Sequence, residues 1–201
     1  LFQMTDLSTT IAHLAKLATS VICMKYFDDS YSIIVTKNQW ATRALQILFL
    51  HSILGIFRFG NPSTSKHLSG FYTWFSKISN TIPFALIVTE ILHWNKNSEQ
   101  ITLTLLILTV FPIIYKSRSK ERARRHLTDV SVGLNLCALI YVSIKNENYS
   151  AISLGASYTF THFFLEEVSD KFEVPHRDLL QYSLCFMEIF SVLTLKDLQG
   201  N

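Results

Sequence analysis

The sequence predicts an all-α fold: a polytopic transmembrane bundle of about seven spans, with a cytoplasmic amino terminus and a lumenal or extracellular carboxyl terminus. Three observations predict it: a shortage of charge, tryptophans at the ends of apolar stretches, and basic residues gathered in alternate loops. Charged residues make up 16% of the 201, against about 25% in ordinary soluble domains. A chain that lives in water must solvate a large surface, mostly with charged side chains. Their scarcity sets part of this surface against something other than water.

Seven apolar segments follow one another at 7–27, 40–57, 74–93, 101–115, 129–144, 151–165 and 179–195. Crossing a hydrocarbon core takes about 20 residues, so several of them stand near the lower limit. The first carries His13 and Lys16 and lacks a compact apolar core, so no signal peptide is expected and insertion would rely on the spans themselves. The second opens on Trp40 and holds His51 past its middle; the third runs from Trp74 to His93, next to Trp94, and contains Pro83. The fourth is the most apolar, with no charge and with threonines able to bond back to helix carbonyls. A helix apolar all round is either buried in a large core or faces lipid. The fifth follows a basic stretch and has Asn135 near its middle, the sixth carries His162, and the seventh has Glu188 near its centre.

Residues 1–6 read as a leftover linker or a short cytoplasmic amino terminus, 7–195 as one seven-helix membrane domain, and 196–201 as a short tail. Tryptophan prefers the headgroup level, and Trp40, Trp74 and Trp94 all fall at predicted segment ends. Basic residues cluster on one side: Arg58, Lys66 and Lys77, then Lys116, Arg118, Lys120, Arg122, Arg124 and Arg125, then Lys171 and Arg177. The other side has Lys25, Lys37, Arg43, Lys96, Lys145 and Lys196, and the positive-inside rule makes the richer side cytoplasmic. The net charge of +3 is too small to imply nucleic acid. The expected partners are instead the bilayer, a lipid-like ligand and a membrane-protein partner.

Ionisable groups are expensive inside a bilayer and default to a functional reading. Position along alternating spans converts to depth, and on that basis His13, His51, Asn135, His162 and Glu188 could meet, with Asp129 at the edge, in one pocket open to the cytoplasm. Glu166 joins them because His162 and Glu166 are spaced i, i+4 on one helix face. A carboxylate beside an imidazole sets its tautomer and raises its basicity, as acid–base chemistry needs. Against this, polar groups near span ends snorkel cheaply, and mid-span ones often make structural interhelical bonds.

Glu90 and His93 have the Glu-x-x-His spacing of di-metal bundles, but the second motif required is missing, so neither a metal nor a cofactor is expected. Cys23, Cys137 and Cys185 read as small core hydrophobes. The basic run ending at Arg125 suits contact with anionic headgroups, though a topology determinant is the simpler reading. The sequon Asn148-Tyr149-Ser150 falls on the outer side, close to two spans.

These features point first to a protein that binds or modifies a lipid-like small molecule through an intramembrane polar pocket. The alternative is a non-catalytic accessory or scaffold subunit of a membrane complex; a channel or transporter has least support, because no internal repeat is visible. No complete catalytic signature is present, so an enzyme and a binding protein stand equally. Short spans and a sequon favour the endoplasmic reticulum over the plasma membrane, since thinner bilayers accept shorter helices.

Overall fold

The computed structural model describes residues 2–27, 39–61, 65–96, 99–114 and 121–200. Among these residues there are helices and no strand. The helices are α1 (Phe2–Phe27), α2 (Gln39–Phe59), α3 (Lys66–Ser79), α4 (Ile82–Trp94), α5 (Glu99–Ile114), α6 (Glu121–Lys145), α7 (Tyr149–Thr159), α8 (Leu165–Phe172) and α9 (His176–Gly200). A π-helical turn, Phe160–Phe164, joins α7 to α8, and a two-residue turn joins α3 to α4. The result is seven rods, one for each apolar segment.

Local chemistry explains the joints. Ser65 caps α3 by accepting from the Leu68 amide at 3.2 Å. Pro83 cannot donate a backbone hydrogen bond, so the helix interrupts just before it. The Tyr158 hydroxyl donates to the Asn80 carbonyl in that interruption, at 2.7 Å, while its ring stacks on Phe84 with centroids 3.7 Å apart. Asn148 caps α7 by accepting from the Ala151 amide at 2.9 Å. Glu173 ends α8 in the left-handed conformation.

Contacts at the two ends fix the direction of the rods. At one end, Ser8 and Thr9 of α1 donate to Asp178 of α9, and the guanidinium groups of Arg58 and Arg177 lie over the Phe59 ring. At the other end, Asn146 donates to Asn95, Asn148 donates to the Thr194 carbonyl, and the Lys196 ammonium sits 3.3 Å from the Tyr26 ring centre. Helices α1 and α9 therefore run parallel, and α2 runs against both. The first end also carries the start of α6 with Arg125 and is called the basic end below.

Helix α4 is the axis of the bundle. Every residue from Pro83 to Leu92 is buried, against α2, α5, α6 and α9. The sequence singles out the fourth segment as the helix apolar all round. Its helix, α5, lies at the periphery, with Ile101, Ile107 and Phe111 exposed. Trp74 also departs from expectation: the third rod begins at Lys66, which leaves Trp74 well inside it and exposed.

The outside of the bundle is apolar and much of its inside is polar. Along α1 the exposed residues Leu7, Ile11, Leu14 and Ile22 lie opposite the buried Thr9, His13, Lys16 and Ser20. Along α9, exposed Tyr182, Phe186, Ile189 and Leu193 lie opposite buried Asp178, Gln181, Cys185 and Glu188. A helix packed in water does the reverse. Five helical stretches are long and apolar enough to cross a membrane: Leu7–Tyr26, Gln39–Phe59, Lys66–Trp94, Arg125–Lys145 and His176–Gln199. Glu99–Ile113 is apolar but shorter. The sixth predicted span, 151–165, is interrupted by the π turn and runs on into the exposed Glu166 and Glu167.

Two polar residues near the end opposite the basic one close helix termini. The Glu90 carboxylate accepts from the backbone amides of Trp40 at 2.8 Å and Ala41 at 3.3 Å, so it neutralises the start of α2. Glu90→Gln keeps the acceptor and loses the charge. It is expected to cost about 1 kcal/mol of stability, measured by thermal unfolding in detergent. Asn148 is buried, with its side-chain oxygen and nitrogen both engaged. Its sequon is therefore expected to remain unmodified, and glycosidase treatment of protein made in a glycosylating host should leave the mobility unchanged.

Candidate polar site between α1, α2 and α9

The buried polar residues of α1 recur as Thr9, His13, Lys16 and Ser20, steps of four, three and four that hold them on one stripe. On α9, Asp178, Gln181, Cys185 and Glu188 recur in steps of three, four and three, again on one stripe. The two stripes face each other, and α2 and α3 close the remaining sides with His51, Tyr72 and Ser76.

Lys16 is the hub, 0% exposed. Its ammonium donates to Nδ1 of His51 at 2.6 Å and to Oε1 of Gln181 at 2.5 Å. Nδ1 of His51 accepts, so its proton sits on Nε2, which donates to the Ser76 hydroxyl at 2.8 Å. His13 lies 2.9 Å from the Tyr72 hydroxyl through Nε2, while its Nδ1 is buried with no partner. An orphan lone pair is cheaper than an orphan N–H, so the proton is placed on Nε2 here too. Both imidazoles are then neutral.

Gly55 makes room for His13. A Cβ at that position would come within 2.3 Å of the His13 ring. The rings form a column: Phe59 stacks on His13 at 5.8 Å, His13 meets His51 edge-on at 5.3 Å, and His51 stacks on Tyr72 at 5.2 Å. Deeper in, the Ser20 hydroxyl lies 2.8 and 3.0 Å from the two carboxylate oxygens of Glu188 and 3.0 Å from the Lys16 carbonyl. Lys16 and Glu188 attract across this seam. The column thus gathers Lys16, Glu188 and two imidazoles, reaching from the basic end to the middle of α9.

Three of the predicted pocket residues, His13, His51 and Glu188, belong to this column. The others do not join it. His162, in the π turn, pairs with Asp129 of α6 at 3.0 Å, and both are partly exposed. Glu166 is exposed on α8. The Asn135 side-chain amide donates to Thr109 of α5 at 2.9 Å and to the Ser131 carbonyl at 2.8 Å. Lys16, Gln181, Tyr72 and Ser76 are the members that depth alone does not select. The repeat Thr9-His13-Lys16-Ser20 is the sequence signal that could have found Lys16.

Of the headgroup-contact residues, Lys116, Arg118 and Lys120 lie outside the described residues, as do Tyr115 and Lys37. Arg122, Arg124 and Arg125 belong to the first turns of α6, where Arg125 is exposed. Among the described residues, no group of three histidine, cysteine or acidic side chains is arranged to hold a metal ion. Cys23 and Cys185 are buried and Cys137 is exposed, all three as free thiols.

The geometry defines a helical bundle with a polar interior column and an apolar exterior. No protein family matches the sequence, and neither a curated protein nor a solved structure matches it significantly.

The Lys16–Glu188 seam gives a direct test. Breaking one side of a buried pair costs about 3–5 kcal/mol, because the other charge is left behind. Lys16→Met and Glu188→Gln are each expected to lower stability strongly, and the double variant less than the sum of the two. A double-mutant cycle on thermal or denaturant unfolding measures the coupling; strict additivity would mean that the two charges do not interact.

Proposed function

We propose that this chain is a multi-pass integral membrane protein that binds or modifies a lipid-like molecule through the Lys16–His51–Glu188 column. The observation that carries the membrane part is the reversed polarity of α1 and α9: Ile22 is 65% exposed while Lys16, on the opposite face of α1, is 0% exposed. In water that arrangement desolvates a charge and solvates hydrocarbon, and both cost free energy. In a bilayer both terms change sign.

On this reading all seven rods cross or enter the bilayer, the basic end is cytoplasmic, and the carboxyl end is lumenal or extracellular. The endoplasmic reticulum is the proposed compartment, since α5 and the broken α7–α8 rod suit a thin bilayer. The column supports a binding role because its charged and hydrogen-bonding groups follow one seam shared by three neighbouring helices. It begins at the basic end, within reach of a headgroup entering from that side. An accessory or scaffold role draws its support from a different place. An outward-facing apolar groove of about 410 Å³ runs along α6 and α7, lined by Ile140, Ile144, Ile152, Gly155, Ala156 and Phe160 among others.

Carbonate extraction of membranes should leave the protein in the pellet. Lys16→Gln, His51→Gln and Glu188→Gln should each reduce co-purified lipid, read by native mass spectrometry, in variants that keep the wild-type elution profile. Release by carbonate would end the membrane reading. Unchanged bound lipid in all three variants would end the binding reading and leave the accessory role.

A further inference from the structure

We infer that the outward face of α3 docks a transmembrane helix of another membrane protein, one that carries an aspartate or glutamate facing Lys77. The inference rests on the membrane part of the proposed function and not on lipid binding. Helix α3 packs on α2 and α4 and leaves Gly70, Thr73, Trp74 and Lys77 exposed. Those positions are spaced i, i+3, i+4 and i+7, so they share one face of the helix. The opposite face turns inward, with Tyr72 and Ser79 buried and Ser76 bonded to His51.

The height of Lys77 follows from its neighbour. Ser76 bonds to His51, His51 bonds to Lys16, and Lys16 is the tenth of the 20 residues of Leu7–Tyr26. Lys77 therefore lies near mid-membrane level, although its charge groups it with the basic end in the sequence. Eleven residues, roughly 16 Å of helix, separate it from Lys66 at the start of the rod. Its four-carbon stem covers only part of the roughly 15 Å from the centre of the hydrocarbon to its edge. An ammonium held there is costly unless it is paired. The carbonyl dipoles in the last turn of α3 offset only part of that cost. Among the described residues Lys77 makes no hydrogen bond or ion pair. Trp74, one turn earlier, is also exposed below the headgroup level that tryptophan prefers. Two residues of one face are thus unsuited to lipid, for different reasons.

Charge selects the occupant. A helix with a carboxylate at the height of Lys77 turns an isolated cation into a pair, and the interior of a bilayer strongly favours the pair over the separated charges. The space over Gly70 is open, so such a helix can approach the α3 backbone closely. Trp74, with its ring centre 5.7 Å from that of Phe71 and 6.4 Å from that of Phe75, supplies apolar contact beside the pair. A second copy of this chain does not supply the acid. Among the described residues the acidic side chain nearest the middle of a crossing stretch is Glu188, which is buried. A lipid phosphate stays at the headgroup level and does not meet Lys77 either.

The test reconstitutes the full chain in phosphatidylcholine vesicles with a synthetic membrane-spanning polyleucine helix that carries one central glutamate, or leucine in its place. Cys137, the exposed thiol, carries a donor fluorophore and the peptide an acceptor. Energy transfer to the glutamate peptide should reach its midpoint at a peptide-to-lipid ratio about tenfold lower than for the leucine peptide, the factor that 1.4 kcal/mol of pairing gives. Lys77→Leu should erase that difference and Lys77→Arg should keep it. Lys77→Glu should move the preference to a peptide with a central lysine. Equal transfer to the glutamate and leucine peptides in the wild type, a comparison that needs no variant, overturns the inference. A glutamate preference that survives Lys77→Leu overturns it too. Transfer between donor- and acceptor-labelled copies of the protein, lost in Lys77→Leu, overturns the choice of partner in favour of a second copy. Protein that does not float with the vesicles removes the membrane reading itself, whereas flotation without a peptide preference removes the docking face alone.

Discussion

A lysine ammonium enclosed among helices is the constraint from which the rest of this bundle follows. Lys16 is fully enclosed, so its charge must be met by groups supplied from neighbouring helices. His51 comes from α2 and Gln181 from α9, with Ser20 and Glu188 one turn deeper along the same seam. These bonds set the rotation of three helices about their own axes. Turning α1 by about half a circle would put Lys16 on the outer face and Leu14 into the seam. The apolar exterior of α1 is the geometric complement of its polar interior.

The same rule operates at the helix ends and interruptions. Where Pro83 breaks the third rod, Tyr158 supplies the donor that the Asn80 carbonyl lacks. The first amides of α2 are met by Glu90, a side chain from the central helix, and those of α7 by Asn148. Ser52, Thr89, Ser143, Ser191 and Thr194 each return their hydroxyl to a carbonyl one turn back. In a bilayer no water stands by to satisfy such groups, so each must find its partner in the protein. Glu90 shows how a residue spaced like a metal ligand can instead serve the backbone.

Most of the buried ionisable side chains among the described residues gather in one part of the bundle. That is the quadrant of α1, α2, α3 and α9 at the basic end. There two guanidinium groups meet one phenylalanine ring, and a histidine behind it retains an unpaired ring nitrogen. Elsewhere the polar pairs, His162 with Asp129 and Asn135 with Thr109, join α6 to its neighbours and read as interhelical links.

The amino-acid sequence determined the helical class, the seven rods and the alternation of their direction, because apolar length and loop charge are properties of consecutive residues. It also carried the polar stripes of α1 and α9 in their steps of three and four. Depth could be inferred from position along each rod, and of the residues it grouped, His13, His51 and Glu188 lie along the one column. Depth is one coordinate. Which helix stands beside which, and how far each is turned, comes from packing between residues remote in the chain, and that decided that His162 and Asn135 face α6 and α5 rather than Lys16. It also put α4 rather than α5 at the centre, since an apolar helix satisfies its own backbone equally well in a core or against lipid, and only its neighbours distinguish the two.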